Sequence, residues 1–342
     1  MHMADALISP VVGLSMAVVS VAAISLSVAR VKNEELSESK VPIMGVAGAA
    51  VFAAQMINFA IPGTGSSGHI GGGILLAGLL GGVPAFLSIA AVMIIQCLFF
   101  ADGGLLALGC NIFNLGVIPC LVVYPLVFKT IVKPGTDYKR LSMASVLSAV
   151  AGLQLGAFCV VLQTLLSGIT QLPFGAFTAI ILPIHLAIGL VEGIVTAAVL
   201  CFLYKMRPEI VSFAQPNGNK NSVATKEVVI AIAAVAIIVG GAFSLLASQD
   251  PDGLEWAIER TTGVGDGAEA GLEAEGAVFD AAASIQESTS LFPDYAFEND
   301  SENPAGTSAA GIIGAVITFI VACAVGFVIT KVKKRRKVAA NA

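Results

Sequence analysis

Residues 70–100 read IGGGILLAGLLGGVPAFLSIAAVMIIQCLFF, a stretch without a single charged side chain. It is too long for one typical transmembrane helix, which needs about 20 residues. Paired glycines and a proline, at Gly81, Gly82 and Pro84, interrupt helices. We therefore predict two helices here, a short one near 70–81 and a longer one near 84–100.

The rest of the chain has the composition of a membrane protein. Of its 342 residues, 56% are hydrophobic and 12% are charged, with a mean hydropathy of +0.90, which excludes an ordinary soluble domain. Further apolar runs long enough to span lie at about 7–29, 42–60, 104–128, 141–167, 175–204, 227–247 and 309–330. The sequence thus predicts an all-α polytopic membrane protein with nine spans.

Basic residues predict the orientation, because cytoplasmic loops of membrane proteins are rich in Lys and Arg. The basic segments are Arg30 to Lys40, Lys129 to Arg140, Lys205 to Lys226 and Lys331 to Lys337. All of them fall on one side only if 70–100 contains two spans. We therefore expect a cell-membrane protein with its N-terminus outside and its C-terminus in the cytoplasm. This topology places His2, His69 and Asp102 together on the outer side.

The same topology predicts two domains. Residues 1–210 form a seven-span bundle, and 211–226 form a cytoplasmic linker. Residues 227–342 form a two-span accessory domain whose extracytoplasmic loop, at about 249–308, holds one base, Arg260, among many acids. That acidic loop could concentrate cations or be a solvated linker. The six cysteines lie in apolar runs without a Cys-x-x-Cys pair, so we expect neither a disulfide framework nor a zinc site.

The first two residues, Met1 and His2, form a potential chelate. The amine of Met1, the deprotonated amide of His2 and its imidazole close fused five- and six-membered rings, a planar set that suits Ni(II), Cu(II) and some Co(II) sites. The start of the chain lacks the basic residues of a cleaved signal peptide, so we expect the amine of Met1 to be retained. The alternative is that His2 merely follows the initiator methionine.

His69 could supply the fourth nitrogen. It follows the turn Gly63–Gly68 and precedes three glycines, which allow a backbone to approach a ligand closely. The alternative is an exposed histidine that ends a flexible turn. Because His2 is expected on the same side, we predict that Met1, His2 and His69 ligate a metal ion.

His185 and Glu192 lie two helical turns apart within one predicted span. Ionisable groups inside a span are costly, and they are usually functional or paired. The two side chains could lock one helix onto another, help to carry an ion inward, or support the metal ligands from behind.

Polar residues on two other helices are further candidates. Asn111 and Asn114 share a helix face and could orient a ligating histidine or join two helices by hydrogen bonds. Gln96 and Asp102 lie near the outer end of the fourth helix, where they could hold the ring nitrogen of a ligand or lead a cation in.

Two other functions remain open at this point. The segment Gly65-Ser66-Ser67-Gly68, followed by His185 on a later span, fits an intramembrane serine hydrolase. A stand-alone facilitator of divalent cations is the other alternative. The chain has no Gly-x4-Gly-Lys-Ser/Thr motif for ATP and no basic-aromatic patch for nucleic acid. An active pump would therefore take its energy from partner chains.

Several motifs occur together in the first 210 residues: Met1-His2, Gly65–His69, Ala101–Gly104, Asn111–Gly116 and His185–Gly193. Together they resemble the nickel/cobalt substrate-capture subunit of energy-coupling-factor transporters (the CbiM/NikM type). The motif Pro251-Asp252-Gly253-Leu254-Glu255 and the segment Phe292–Tyr295 resemble the small partner subunit of the same transporters. The chain therefore looks like both subunits fused.

The resemblance implies a square-planar site of four nitrogens: the amine of Met1, the amide and imidazole of His2, and the imidazole of His69. It implies Ni(II) or Co(II) as the transported substrate, no organic cofactor and no enzymatic activity in this chain. A transmembrane coupling subunit and cytoplasmic ATPases would be separate partner chains. The lipid bilayer would surround the chain itself and the coupling subunit. The tail looks closer to the nickel branch, so nickel is the favoured ion.

Overall fold

The computed structural model describes all residues except 32–37, 39, 215–223, 264–271, 273–274, 298, 301–302 and 341–342. Most of the predicted linker 211–226 and parts of the acidic loop therefore lie outside the described residues. The six cysteines are free.

Helices make up the first domain, with their apolar residues packed into one continuous core. They are α1 (Pro10–Arg30), α2 (Val41–Gln55), α3 (Gly73–Leu80), α4 (Gly82–Phe100), α5 (Leu108–Ile112), α6 (Lys129–Ile131), α7 (Tyr138–Ser167) and α8 (Phe174–Met206). A π-helical stretch, Phe113–Phe128, joins α5 to α6 into one rod. It contains two prolines, whose missing N–H groups disrupt α-helical hydrogen bonding.

The predicted break in 70–100 is confirmed. Helix α3 ends at Leu80 and α4 begins at Gly82. Gly81, between them, has φ +88°, a left-handed conformation that glycine adopts without steric cost. With eight residues, α3 is about 12 Å long. It is therefore too short to cross a membrane by itself.

Among the described residues, six helical segments are long and apolar enough to span a membrane: Pro10–Arg30, Gly82–Phe100, Leu108–Ile131, Tyr138–Ser167, Phe174–Met206 and Pro304–Val332. Helix α2 is apolar but has only 15 residues. The architecture is an all-α polytopic membrane protein, while the count of nine spans remains a prediction.

The second domain packs against the first. It contains α9 (Ala224–Gly241), α10 (Gly253–Thr262), α11 (Ala277–Thr289) and α12 (Pro304–Ala340). Small residues allow close approach: Gly45 of α2 lies against Cys323 and Phe319 of α12, and Gly240 of α9 lies against Ala53 of α2. This packing brings the segment between α9 and α12 to the end of the bundle where the N-terminus lies.

A short antiparallel hairpin positions His69. Strand β1 (Phe59–Ile61) pairs with β2 (Ser66–Gly68), with Phe59 opposite Gly68. The backbone N–H of Ser67 donates to the carbonyl oxygen of Pro251 at 2.8 Å, so the accessory domain adjoins this hairpin. His69 follows β2 directly and therefore starts from a fixed backbone.

Candidate metal centre

The N-terminal segment is threaded into the bundle and held there by its backbone. Met1 and Met3 are buried, with exposures of 5% and 0%. The backbone N–H of Met3 donates to Oδ1 of Asn111 at 2.8 Å, and Nδ2 of Asn111 donates to the carbonyl of Met3 at 3.2 Å. Asn111 therefore fixes the backbone of the terminal segment, a role that the sequence could not specify.

The amine of Met1 lies between a histidine and a carboxylate. Its nitrogen is 3.4 Å from Nε2 of His69 and 2.6 Å from Oδ2 of Asp252. The structure therefore brings together Met1 and His69, two of the three residues predicted to ligate the metal ion. Asp252 was singled out in sequence only as part of a motif, and its contact with Met1 depends on packing between the two domains.

The ring of His2 stacks on the ring of His69, with centroids 5.2 Å apart and planes 6° from parallel. Nδ1 of His2 lies 3.0 Å from Oδ1 of Asp102, whereas its Nε2 is buried and has no hydrogen-bond partner in the described part of the chain. Asp102, a candidate to hold a ring nitrogen or to lead a cation in, therefore contacts a ring nitrogen of His2. Tyr295 donates its hydroxyl to Oδ2 of Asp102 at 2.6 Å. The carboxylate of Asp102 therefore links Tyr295 of the accessory domain to His2.

Electrostatics keep His69 neutral. Burial, the charge of the N-terminus and the neighbouring His2 lower the pKa of His69 to about 3, against the opposing effect of Asp252 and Asp102. A neutral imidazole carries a lone pair that can bind a metal ion. At neutral pH His69 is therefore a competent ligand without losing a proton.

The two carboxylates remain ionised. Burial alone would raise the pKa of Asp102, but the charge and hydrogen bonds of His2 and the hydroxyl of Tyr295 hold it below its usual range. Burial likewise opposes ionisation of Asp252, but the charge of the N-terminus holds the pKa of that carboxyl well below its usual range. The site therefore contains two fixed negative charges beside three nitrogen-bearing groups.

Glu192 holds the segment that follows His69. Its two carboxylate oxygens accept the backbone N–H groups of Gly71 and Gly72, at 2.8 and 3.0 Å. Gly72 has φ +75°, which strongly favours glycine. Glu192 therefore fixes the backbone between His69 and α3.

His185 and Glu192, which share a face of α8, have different surroundings. Nδ1 of His185 lies 2.9 Å from the carbonyl oxygen of Ile181 on its own helix, and its Nε2 is buried and has no hydrogen-bond partner among the described residues. His185 therefore does not lock α8 onto another helix by a hydrogen bond. It lines a small cavity of about 10 Å³, which Met1, His69 and Asp252 also line.

Asp252 also begins α10. Its Oδ1 accepts the backbone N–H groups of Leu254 and Glu255 at 2.7 and 2.9 Å, and Glu255 accepts the backbone N–H of Asp252 at 2.9 Å. This reciprocal capping box explains the Asp-x-x-Glu spacing. It also aims Oδ2 of Asp252 at Met1.

The remaining polar candidates mainly join elements of the bundle. Gln96 donates to Gln55 at 2.9 Å, and Gln55 donates to the carbonyl of Gly71 at 2.8 Å. Asn114 and Gln163 exchange two hydrogen bonds at 2.9 and 3.0 Å, and Nδ2 of Asn114 also lies 3.7 Å from Sδ of Met3. Gln55 and Gln163 were not singled out in sequence, because nothing local distinguishes them from other polar residues in helices, and Tyr295 was named only as part of a motif.

The serines of the Gly/Ser turn are engaged by the accessory domain. Ser67 donates its hydroxyl to the carbonyl oxygen of Asp250 at 2.8 Å, and Ser66 bonds to the carbonyl of Ser67 at 3.1 Å. Neither forms a hydrogen bond with His185 among the described residues. The nucleophile and base of a hydrolase are therefore not assembled here.

In the part of the chain that the structure describes, no three His, Cys, Asp or Glu side chains converge tightly enough to hold an ion. An ion at the N-terminus would consequently need main-chain nitrogens. The amine of Met1 and the amide of His2 are the groups that could supply them.

Comparison with known proteins matches both parts of the chain. Residues 2–210 match the family described as cobalt uptake substrate-specific transmembrane region, and residues 226–331 match the PDGLE domain. These matches confirm the resemblance drawn from the motifs.

Relatives and solved structures agree with these matches. A putative fused nickel transport protein, NikMN, of Archaeoglobus fulgidus is 31% identical over 335 residues, which cover 97% of this chain and 98% of the relative. Cobalt transport protein CbiM of Sorangium cellulosum is 30% identical over 194 residues, 56% of this chain and 85% of the relative. A crystal structure of a truncated transition metal transporter shares 26% identity, with a TM-score of 0.52 over 60% of this chain and 99% of that chain.

Proposed function

Since the chain belongs to the cobalt uptake substrate-specific transmembrane family and carries a PDGLE domain, we propose that its N-terminus chelates Ni(II) or Co(II) for an ATP-driven importer. The chain is a multi-pass membrane subunit for nickel or cobalt transport rather than an enzyme. The proposal concerns three further points: which atoms bind the ion, which side of the membrane the site faces, and which energy source drives import. Its ligands are the amine of Met1, the amide and Nδ1 of His2, and Nε2 of His69.

One distance carries the proposal: the 3.4 Å between the nitrogen of Met1 and Nε2 of His69. Imidazole nitrogens bind such ions at about 2.0 Å. Two nitrogens on one ion would therefore lie about 2.8 Å apart as neighbours in a plane and about 4 Å apart when opposite. In the chelate the amide of His2 lies between the amine of Met1 and the imidazole of His2, so His69 would take the position next to the amine. The observed separation is about 0.6 Å longer than that of such neighbours, so an ion could bridge the two groups with a small movement.

His2 exchanges partners in this scheme. A six-membered chelate ring requires Nδ1 of His2, the atom that Asp102 holds at 3.0 Å. On capture, the imidazole turns its Nδ1 from Asp102 to the ion. Tyr295 keeps one oxygen of Asp102 hydrogen-bonded when the ring leaves.

Charge balance supports the buried site. With the site empty, the ammonium of Met1 places one positive charge against Asp252. A divalent ion bound to the neutral amine and the deprotonated amide of His2 also carries one net positive charge. Asp252 therefore faces the same charge before and after capture, which limits the electrostatic cost of loading a buried site.

The accessory domain supports the loaded arrangement. Pro251 accepts a backbone hydrogen bond from Ser67, and Trp256 donates to the carbonyl of Thr64 at 3.1 Å. We assign residues 1–210 to capture, 211–226 to a cytoplasmic linker and 227–342 to an accessory domain that holds the terminal segment in place. The site faces outward, and a transmembrane coupling subunit with cytoplasmic ATPases drives reorientation. Planar coordination favours Ni(II) over Co(II).

Blocking the terminal amine tests this proposal. Acetylating Met1 removes the amine as a ligand but leaves all side chains unchanged. Binding of Ni(II) to the purified chain should be abolished, while the exposed Ala4→Ser substitution should have no effect. Unchanged affinity of the acetylated chain would refute the chelate. Uptake of Ni(II) by this chain alone, without ATP, would instead favour a facilitator.

A further inference from the structure

His185 has a buried ring nitrogen with no structural task. The side chain is 1% exposed. Because Nδ1 lies 2.9 Å from the carbonyl oxygen of Ile181, that nitrogen carries the proton, and Nε2 is left with a lone pair. Nε2 is buried and has no hydrogen-bond partner among the residues that the structure describes. Burying an unpaired acceptor destabilises a fold, so packing alone gives no reason for a histidine here.

The lone pair lies next to the capture nitrogens. His185 lines the same small cavity as Met1, His69 and Asp252, and this cavity has room for about one water-sized sphere. A methyl group added at Gly253 would lie 3.3 Å from Cε1 of His185, the ring atom next to Nε2. Gly253 of the accessory domain therefore covers this edge of the His185 ring, next to the cavity at the capture site.

A second cavity adjoins the first. The two cavities share Gly71, Leu115 and Leu153 as lining residues, and Glu192 lines the second one. Glu192 lies seven residues beyond His185 on α8, which is about 10 Å along the helix axis. An ion that leaves the terminus would meet His185 first and a carboxylate next.

We propose that Nε2 of His185 is a second metal-binding position, which Ni(II) or Co(II) occupies after leaving the N-terminal nitrogens on its way into the bundle. This inference rests on the proposed function. Borderline ions of this kind accept imidazole nitrogen readily. His185 lines the cavity, and in this tautomer its Nε2 carries the free lone pair, so His185 could take the ion by ligand exchange without a change of tautomer.

Comparing capture with transport tests the inference. His185→Gln keeps a polar side chain of similar size but removes the imidazole. In the purified full chain, this variant should bind one equivalent of Ni(II) within about twofold of the wild-type affinity. In cells with the complete transporter, its uptake of radioactive Ni(II) should fall at least tenfold. Uptake within twofold of wild type, or loss of binding together with uptake, would overturn the inference.

Matched controls separate this result from failure of the proposed function. Gln154 donates to the carbonyl of Leu182 at 2.7 Å, one turn from His185, but lines neither cavity. Gln154→Leu should preserve both binding and uptake. His69→Ala should lose both. If the wild-type chain itself bound no Ni(II), the proposed function would fail, whatever His185→Gln did.

A measurement on the unaltered chain covers the case in which His185→Gln does not fold. The sequence contains three histidines, so protein labelled with nitrogen-15 in histidine gives three imidazole spin systems. Titration with Ni(II) should shift His2 and His69 up to one equivalent and then shift Nε2 of His185 at excess ion. A His185 signal that stays fixed at millimolar Ni(II) would overturn the inference.

Discussion

Replacing Gly253 by alanine should disturb the contact between the two domains at one identifiable point. Ile188 of α8 is wedged between two glycine backbones: a methyl at Gly253 would lie 2.7 Å from its Cδ1, and a methyl at Gly68 would lie 2.6 Å from its Cγ1. Carbon atoms pack at about 3.5–4.0 Å. The alanine methyl would therefore overlap Ile188 by about 1 Å, and Ile188 cannot swing away because Gly68 lies on its other side.

Overpacking of this kind costs about 1–3 kcal/mol. Ile188→Val removes the methyl group that is struck and alone should cost about 0.5–1.5 kcal/mol. In the double variant the alanine methyl occupies the vacated space, so the two costs should not add. We expect the double variant to be about 1–2 kcal/mol more stable than the sum of the single variants predicts.

Equilibrium unfolding of the four full-length chains in mixed micelles measures this coupling, with Ni(II) titration as a second readout. Because Gly253 is the first residue of α10 and follows Asp252, its displacement should weaken Ni(II) binding by about 5- to 150-fold, the affinity equivalent of 1–3 kcal/mol. Ile188→Val should restore most of that loss. Fully additive free energies would refute the reasoning, because they would show that the added methyl does not meet Ile188.

Two further substitutions test individual hydrogen bonds. Glu192→Gln keeps one acceptor but places an amide N–H group against the backbone N–H of Gly71 or Gly72. It should therefore destabilise the chain by about 1.5–3 kcal/mol and weaken Ni(II) binding. If unfolding and affinity stayed at the wild-type values, Glu192 would not be the residue that holds this segment. Tyr295→Phe removes one hydrogen bond to the buried carboxylate of Asp102 and should cost about 1.5–3 kcal/mol. That cost should disappear in an Asp102→Ala background, and an equal cost in both backgrounds would show that the phenol acts elsewhere.

Local sequence patterns predicted the helices well because their signals are short-range. Apolar length, the Gly81–Pro84 interruption and the glycines around His69 each act within a few residues, and the structure shows α3, α4 and the tight backbone at Gly72 accordingly. The Asp-x-x-Glu capping box of α10 is also local, but neither α10 nor α11 was predicted within the loop at about 249–308.

Long-range partners could not be predicted in the same way. Asn111 and Asn114 share a helix face, yet one holds the backbone of Met3 and the other exchanges hydrogen bonds with Gln163. Their spacing is compatible with either role, because only the packing of α5 against the terminus and α7 decides it.

His185 and Glu192, for which the sequence left several roles open, show the same limit. Two turns of helix place both side chains on one face, but Glu192 reaches the glycines after His69 while His185 bonds to its own helix. Asp252 and Tyr295 lie more than 190 residues from the groups they contact. Their roles depend on how the accessory domain docks, and no spacing within the sequence encodes that docking.

The most direct test of the central claim is competitive binding of equal Ni(II) and Co(II) to the purified full chain, beside His2→Ala and His69→Ala. The account predicts one bound ion per chain, with Ni(II) preferred, and the absorption band of a planar d8 ion. Both substitutions should abolish the band and the binding. Stoichiometric binding that survives both substitutions would contradict the N-terminal site.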